Sequence, residues 1–248
     1  MTPTATATAT ATPTPSPTPT VLANLKITPA KLNFGKVYAS ASSKVHKVTI
    51  VNASKANSTI GLIVPPAAAL SSDFTISNNL CSGVTLAPKK KCSFGLAYTP
   101  TTPTGVLETK TLTVPHDGGI TNMTLSGIPI PVTLAAPKVS SFPLTARGNR
   151  SAPKTLTITN NSPVSVTITG KAFSAGNFAI VSGTDLCSGS ILDPKASPPV
   201  KKCTVQVEFA PQANASPGAV PPETLQYNYA YGHSLAGNAQ TVLKGSDK

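Results

Sequence analysis

The sequence predicts an all-β fold, two tandem Ig-like β-sandwich domains preceded by a disordered Thr/Pro-rich tail. Three observations carry that reading. Most of the chain repeats once with a period of about a hundred residues; the apolar residues of each copy alternate with polar ones over short runs; and no segment carries apolar residues at helical spacing for three turns. The implied division is a linker or stalk over residues 1–22, a first sandwich over 23–132 and a second over 133–248.

The tail reads MTPTATATATATPTPSPTPT and carries no charge and nothing larger than Met1 to bury, so it cannot fold on its own. Its Thr-Ala alternation has the period of a strand, but Ala packs poorly on a sheet and the following prolines remove ladder donors. It reads as a semi-rigid spacer, and Thr/Ser-Pro tracts are also the composition of O-glycosylated stalks. A secretory signal needs a basic start and an apolar run, and neither stands before Val21; either the export signal lies upstream of this segment, or the start is misplaced, or the chain stays inside the cell.

The repeat is read from two ordered sets of residues. Leu80-Cys81-Ser82-Gly83, Leu86-Ala87-Pro88-Lys89 and Lys90-Lys91-Cys92-Ser93, running on to Tyr98-Thr99-Pro100, match Leu186-Cys187-Ser188-Gly189, Leu192-Asp193-Pro194-Lys195 and Lys201-Lys202-Cys203-Thr204, running on to Phe209-Ala210-Pro211. An insertion around Ala196 to Val200 lengthens the second copy. Upstream, Val48-Thr49-Ile50-Val51-Asn52 pairs with Leu156-Thr157-Ile158-Thr159-Asn160; downstream, Leu125-Ser126-Gly127 pairs with Leu243-Lys244-Gly245. Val48 and Ile50, Leu156 and Ile158, Phe94, Leu96 and Tyr98, and Val205, Val207 and Phe209 each sit at every second position, the mark of strands with one buried face. Asn52-Ala53-Ser54, Asn160-Asn161-Ser162-Pro163 and Asp117-Gly118-Gly119 supply turns between them.

Four cysteines allow three pairings by count, and the repeat selects Cys81 with Cys92 and Cys187 with Cys203, each bond inside one domain and bridging neighbouring strands across a short connection. Closing so small a loop contributes about 3 kcal/mol. Zinc and free buried thiols are the rival readings; the spacings Cys-x10-Cys and Cys-x15-Cys lack a Cys-x2-Cys knuckle, and no His sits nearby. Disulfides imply an extracellular or cell-surface location.

The order Leu32-Asn33-Phe34-Gly35-Lys36-Val37, a Thr-rich strand ending in Asn52, Phe74, Cys81, Leu86-Ala87-Pro88, Cys92, Tyr98-Thr99-Pro100 and a closing Leu125-Ser126-Gly127 resembles the bacterial choice-of-anchor D type of Ig-like domain, related to Hydin-like and major-sperm-protein-like sandwiches. The resemblance covers nearly everything after the tail. It implies tandem units of large secreted or surface-anchored bacterial proteins, without an activity of their own. The second copy departs from the pattern at its start, where Phe142 is followed by Pro143 instead of glycine.

The raw material for catalysis is thin. Three His and 8 Asp+Glu are scattered along 248 residues, so no catalytic residue, metal site or cofactor is assigned and the chain is read as a non-enzyme. Gly232-His233-Ser234-Leu235-Ala236-Gly237 fails as a nucleophile elbow, because its second glycine is one place too late and no His follows Ser234; it reads as a loop between the last two strands. His46 shares the parity of Val48 and Ile50, which puts it at the rim of the first core, while His116 and His233 read as exposed loop residues. Asp73, Asp117, Asp185 and Asp193 stand singly, whereas calcium needs several oxygens gathered in one place.

The net charge of +12 is carried almost entirely by lysine, and only Arg147 and Arg150 are arginine. Base readout favours arginine and single-strand binding needs stacked aromatics, so no specific nucleic acid is implied. Lys89, Lys90 and Lys91, and Lys195, Lys201 and Lys202, recur beside the second cysteine of each copy. As a solvated group they would keep sheet edges from pairing; as a site they would contact anionic envelope polymers. No stretch approaches the length of a membrane helix.

Two function classes follow. The first is a non-enzymatic structural spacer of a secreted or cell-surface bacterial protein. The second is an adhesin or a polyanion- or carbohydrate-binding module working through end loops or the lysine-rich edges, with envelope polymers or other surface proteins as partners. By fold analogy alone, two sandwiches of this basicity also suggest a periplasmic pilus chaperone, which would need unlike domains around a basic cleft.

Overall fold

Alternation becomes burial in each copy: Val48 and Ile50 lie in one core and Leu156 and Ile158 in another, while the residues between them are half-buried on the outer face. The computed structural model describes residues 24–66, 73–213, 220–232 and 234–248. The tail expected to be disordered, residues 1–22, lies outside the described residues, as does His233.

The first sandwich contains β1 (Leu25–Thr28), β2 (Lys31–Tyr38), β3 (His46–Asn52), β4 (Ser58–Thr59), β5 (Phe74–Ser77), β6 (Thr85–Leu86), β7 (Lys91–Tyr98), β8 (Glu108–His116) and β9 (Gly119–Ile130). One sheet runs β1-β3-β7-β5 and faces β2-β9-β8, with β4-β6 as a small third piece. The second contains β10 (Leu134–Ala135), β11 (Val139–Ser141), β12 (Lys154–Asn160), β13 (Val166–Phe173), β14 (Phe178–Ile180), β15 (Ile191–Leu192), β16 (Lys202–Phe209), β17 (Glu223–Tyr231) and β18 (Leu235–Lys244). Its sheets run β10-β12-β16-β14 and β11-β18-β17-β13-β15. The chain enters each sandwich through one sheet, where β1 lies antiparallel to β3 and β10 to β12. It then crosses to the other, where β2 runs parallel to β9 and β11 to β18.

Phe94, Leu96 and Tyr98 on β7 fill the first core, and Val205, Val207 and Phe209 on β16 fill the second. Aromatic stacks close one end of each. Phe34 packs 5.6 Å from Phe74, which packs 4.9 Å from Tyr98; Phe142 packs 5.2 Å from Phe178, which packs 5.0 Å from Phe209. Phe142 therefore keeps the place of Phe34 although Pro143 follows it. What the proline changes is length, since β11 has three residues where β2 has eight. Pro143 has no N–H for the ladder, which resumes only at an isolated bridge between Thr145 and Asp247.

His46 stands at the rim of the first core, edge-on to Phe34 at 5.4 Å. His116 differs from the exposed loop residue the sequence suggested. It is half-buried at the β8–β9 turn, where its Nδ1 accepts from the Gly118 N–H at 3.1 Å and its Nε2 lies 3.1 Å from the Thr121 hydroxyl.

Candidate functional site

Each disulfide is set up by a short polar side chain two residues ahead of it. Asn79 Oδ1 accepts from the backbone N–H of Cys81 and Ser82, both at 3.1 Å, and Asp185 Oδ1 accepts from Cys187 at 3.0 Å and Ser188 at 3.1 Å. The turn so formed aims the first cysteine at the second, and the bonds Cys81–Cys92 and Cys187–Cys203 span Cα distances of 5.2 and 5.0 Å. Cys92 and Cys203 lie on β7 and β16, but Cys81 and Cys187 lie in the loops before β6 and β15. The bonds thus tie a loop to a strand rather than joining two neighbouring strands.

Asp185 does more than shape that turn. It also accepts from the Ser188 hydroxyl at 2.7 Å and the Tyr227 hydroxyl at 3.1 Å, and it pairs with Lys171. Burial pushes its carboxyl up, yet the Lys171 ammonium, the Ser188 hydroxyl and the two backbone N–H groups together hold it well below the usual carboxylate range. Burial first, and then the neighbouring carboxylate, raises the Tyr227 phenol; burial and the bond to Glu108 at 2.9 Å raise that of Tyr98.

The six candidate lysines are all exposed. Lys89 to Lys91 form the turn into β7, and Lys201 and Lys202 lead into β16, with Lys195 on the preceding loop. Both β7 and β16 are interior strands, flanked on each side. The lysines crowd the end of a sheet, where β7 and β16 run on past their outer neighbours: β5 pairs only with Gly95–Tyr98 and β14 only with Val207–Phe209. The backbone beneath them is pinned by a buried asparagine in each copy. Asn52 Nδ2 donates to the carbonyls of Ala56 at 2.8 Å and Leu86 at 2.7 Å, while its own N–H donates to Lys90 O at 3.0 Å. Asn160 repeats this with Val164 at 2.7 Å, Leu192 at 3.0 Å and Lys201 O at 2.7 Å. Beside the first cluster, on the outer face of β3 and β7, lies a groove of ≈ 320 Å³ lined by Lys47, Thr49, Leu80, Val84, Lys91 and Ser93.

The second feature is the junction between the sandwiches. Ala39 and Ala41, which follow β2, belong to the core of the second sandwich. Val132 is held by two tyrosines of β17, its N–H donating to Tyr231 Oη at 3.3 Å and its carbonyl accepting from Tyr229 Oη at 2.9 Å. Between the alanines, Ser40 faces Gly232 so closely that a Cβ there would stand 1.8 Å from Ser40 Oγ. Gly232 joins β17 to β18, in keeping with the loop expected there. The corresponding segment after β11 is anchored to its own sandwich through Ser151 and Phe209, as Ser43 and Tyr98 anchor the stretch after β2, but it carries arginines: Arg147 pairs with Asp247 at 3.6 Å, and Arg150 with Glu208.

Among the described residues no group of three or more His, Cys, Asp or Glu could hold a metal ion, and no helix is long and apolar enough to cross a membrane. Asp117, one of the acids read as isolated, accepts from the Thr59 N–H at 2.8 Å and the Ser58 hydroxyl at 3.1 Å, which fastens β4 to the β8–β9 turn. The Thr59 bond first, with that of Ser58, lowers its pKa.

No family model matches this chain, and no curated protein matches it. Solved structures similar to it include a protein of unknown function from Porphyromonas gingivalis W83, 10% identical over 90% of this chain and 99% of that one, with a TM-score of 0.35. The periplasmic chaperone SfaE is 13% identical over 90% of this chain and 100% of that one, with a TM-score of 0.33. The VesB protease of Vibrio cholerae is 18% identical over 46% of this chain and 31% of that one, with a TM-score of 0.32.

Proposed function

We propose that this chain is a non-enzymatic spacer segment of a secreted or cell-surface bacterial protein, built of two choice-of-anchor D-like domains over residues 23–132 and 133–248. The observation that carries the reading is the junction: Ala39, Ala41 and Val132 are packed or hydrogen-bonded into the second sandwich. A spacer must hold distance, and two sandwiches sharing buried side chains resist bending better than two joined by a bare linker. The disulfides serve the same end by fastening loops to central strands, and they favour an oxidising compartment. The Thr/Pro tail extends the spacer as a stalk.

The rival reading, contact with anionic envelope polymers, is favoured by the lysines at the end of each sheet and by the groove that Lys47 and Lys91 flank. Retention on immobilised heparin as a function of salt separates the two. A polyanion site gives retention that falls steeply with salt and vanishes when Lys89, Lys90, Lys91, Lys201 and Lys202 are replaced by Gln. The spacer reading gives weak retention that changes only in proportion to the charge removed.

A further inference from the structure

The two sandwiches differ at one sheet edge. In the second, β17 is covered by β18 on one side and by β13 on the other, paired from Val166 with Tyr231 to Phe173 with Leu225. In the first, β4 has two residues, and its continuation touches β8 only at the Ile60–His116 bridge and the bond from Gly61 N–H to the Pro115 carbonyl at 2.8 Å. Pro65 and Pro66 follow, and neither has an N–H to donate to a ladder. Among the described residues, no strand pairs with the outer edge of β8 between Glu108 and Val114.

The direction of the open groups follows from the ladder. Pro115 O and Asp117 N–H both bond toward β4, the latter to Thr59 O at 3.2 Å. Alternation then turns the N–H and C=O of Thr109, Thr111 and Thr113 away from β9. The side chains of these threonines are exposed, whereas Leu112 and Val114 between them are buried. Exposed apolar residues bracket the edge: Val106 (65%) and Leu107 (56%) before it, and Leu62 (71%) and Val64 (54%) beyond Gly61.

We propose that this edge of β8 docks an extended segment of another protein, which adds as an antiparallel strand in the place that β13 holds against β17. The three threonines offer up to about six backbone hydrogen bonds. Apolar side chains toward the ends of the incoming strand cover Leu107 and Leu62, and its charges are acidic, because Lys110 lies on the edge strand and the chain carries +12. That charge opposes the same pairing with a second copy. The proposal does not depend on the spacer reading or on the lysine clusters.

The test is amide exchange on the full ¹⁵N-labelled chain, with a capped synthetic peptide that alternates valine with aspartate and threonine as the probe. In the free protein the amides of Thr109, Thr111 and Thr113 exchange fast while that of Leu112 is protected; the peptide slows the three by about tenfold or more. Thr111→Pro abolishes the slowing without unfolding the chain, because its N–H makes no bond to β9 and Pro115 already occupies an outward position of the same strand. Thr109→Pro gives the same result should Thr111→Pro fail to fold. Protection of the three amides in the free monomer overturns the proposal, as does peptide binding that survives both prolines or that never slows these amides. Protection that grows with protein concentration assigns the edge to a second copy and also overturns it.

Discussion

The backbone of Gly127 lies against the ring of Tyr98 so closely that a Cβ at Gly127 would stand 2.5 Å from the ring Cε1. In the second sandwich a Cβ at Gly245 would stand 2.7 Å from the ring of Phe209. These contacts explain why each copy closes on glycine after Leu125-Ser126 and Leu243-Lys244: the last aromatic of β7 or β16 fills the space that a side chain would need. Tyr98 is fully buried and held by Glu108, so it cannot swing away. Gly127→Ala is expected to destabilise the first sandwich by about 1–3 kcal/mol, read as a shift in the urea midpoint with an unchanged slope. Gly245→Ala should do the same in the second.

The buried asparagines give a second prediction. Asn52 and Asn160 are both buried, and each donates two hydrogen bonds to loop carbonyls and accepts from a serine two residues on. Asn160→Ala leaves the Val164 and Leu192 carbonyls without that donor and is expected to cost about 2–4 kcal/mol. Asn160→Asp should be at least as damaging, since a carboxylate there would face two carbonyl oxygens. Chemical denaturation of both variants measures the loss.

Asp185 supplies a pH dependence. Its carboxyl is held below its unfolded value, so the stability it contributes is present in full above the ordinary carboxylate range, near pH 4, and is lost as pH falls through the folded-state value. Asp185→Asn should cost about 1–2 kcal/mol near neutral pH. The gap from the parent chain should close as both are titrated into strong acid. A gap that stays constant with pH would contradict the assignment.

Reduction is the fourth test. Non-reducing peptide mapping should recover Cys81 with Cys92 and Cys187 with Cys203, and breaking each bond should lower stability by about 3 kcal/mol. Cross-domain linkages would contradict the repeat-based pairing, and four free thiols under oxidising conditions would remove the argument for an oxidising compartment.

Much of this was legible in the sequence because it is local or repeated. Val48 and Ile50 announce a half-buried strand by alternation alone, and the recurrence of Leu-Cys-Ser-Gly picks out the cysteine pairs. What was not legible depends on residues that only the fold brings together. Asp185 looked isolated because Lys171 and Tyr227 come from other strands. Ala39 and Ala41 gave no sign that they enter the neighbouring core, since they are small and belong to no periodic run. The place of the lysines in the sheets was not legible, because strand order and register cannot be read from a single chain: β7 and β16 lie inside their sheets, yet β5 and β14 stop short of the lysine ends. The short β4 has the same limitation: its pattern resembles that of β13 up to Ile60, and what is missing beyond it matters only once β8 is known to be its neighbour.

The central claim is that the two sandwiches act as one stiff spacer, and residual dipolar couplings of the backbone amides test it most directly. Couplings from β3 and β7 and those from β12 and β16 should fit a single alignment tensor, because Ser40 packs against Gly232 and Val132 is hydrogen-bonded to Tyr229 and Tyr231 across the junction. Two tensors of different magnitude or direction would show that the halves move independently, and would contradict the spacer account.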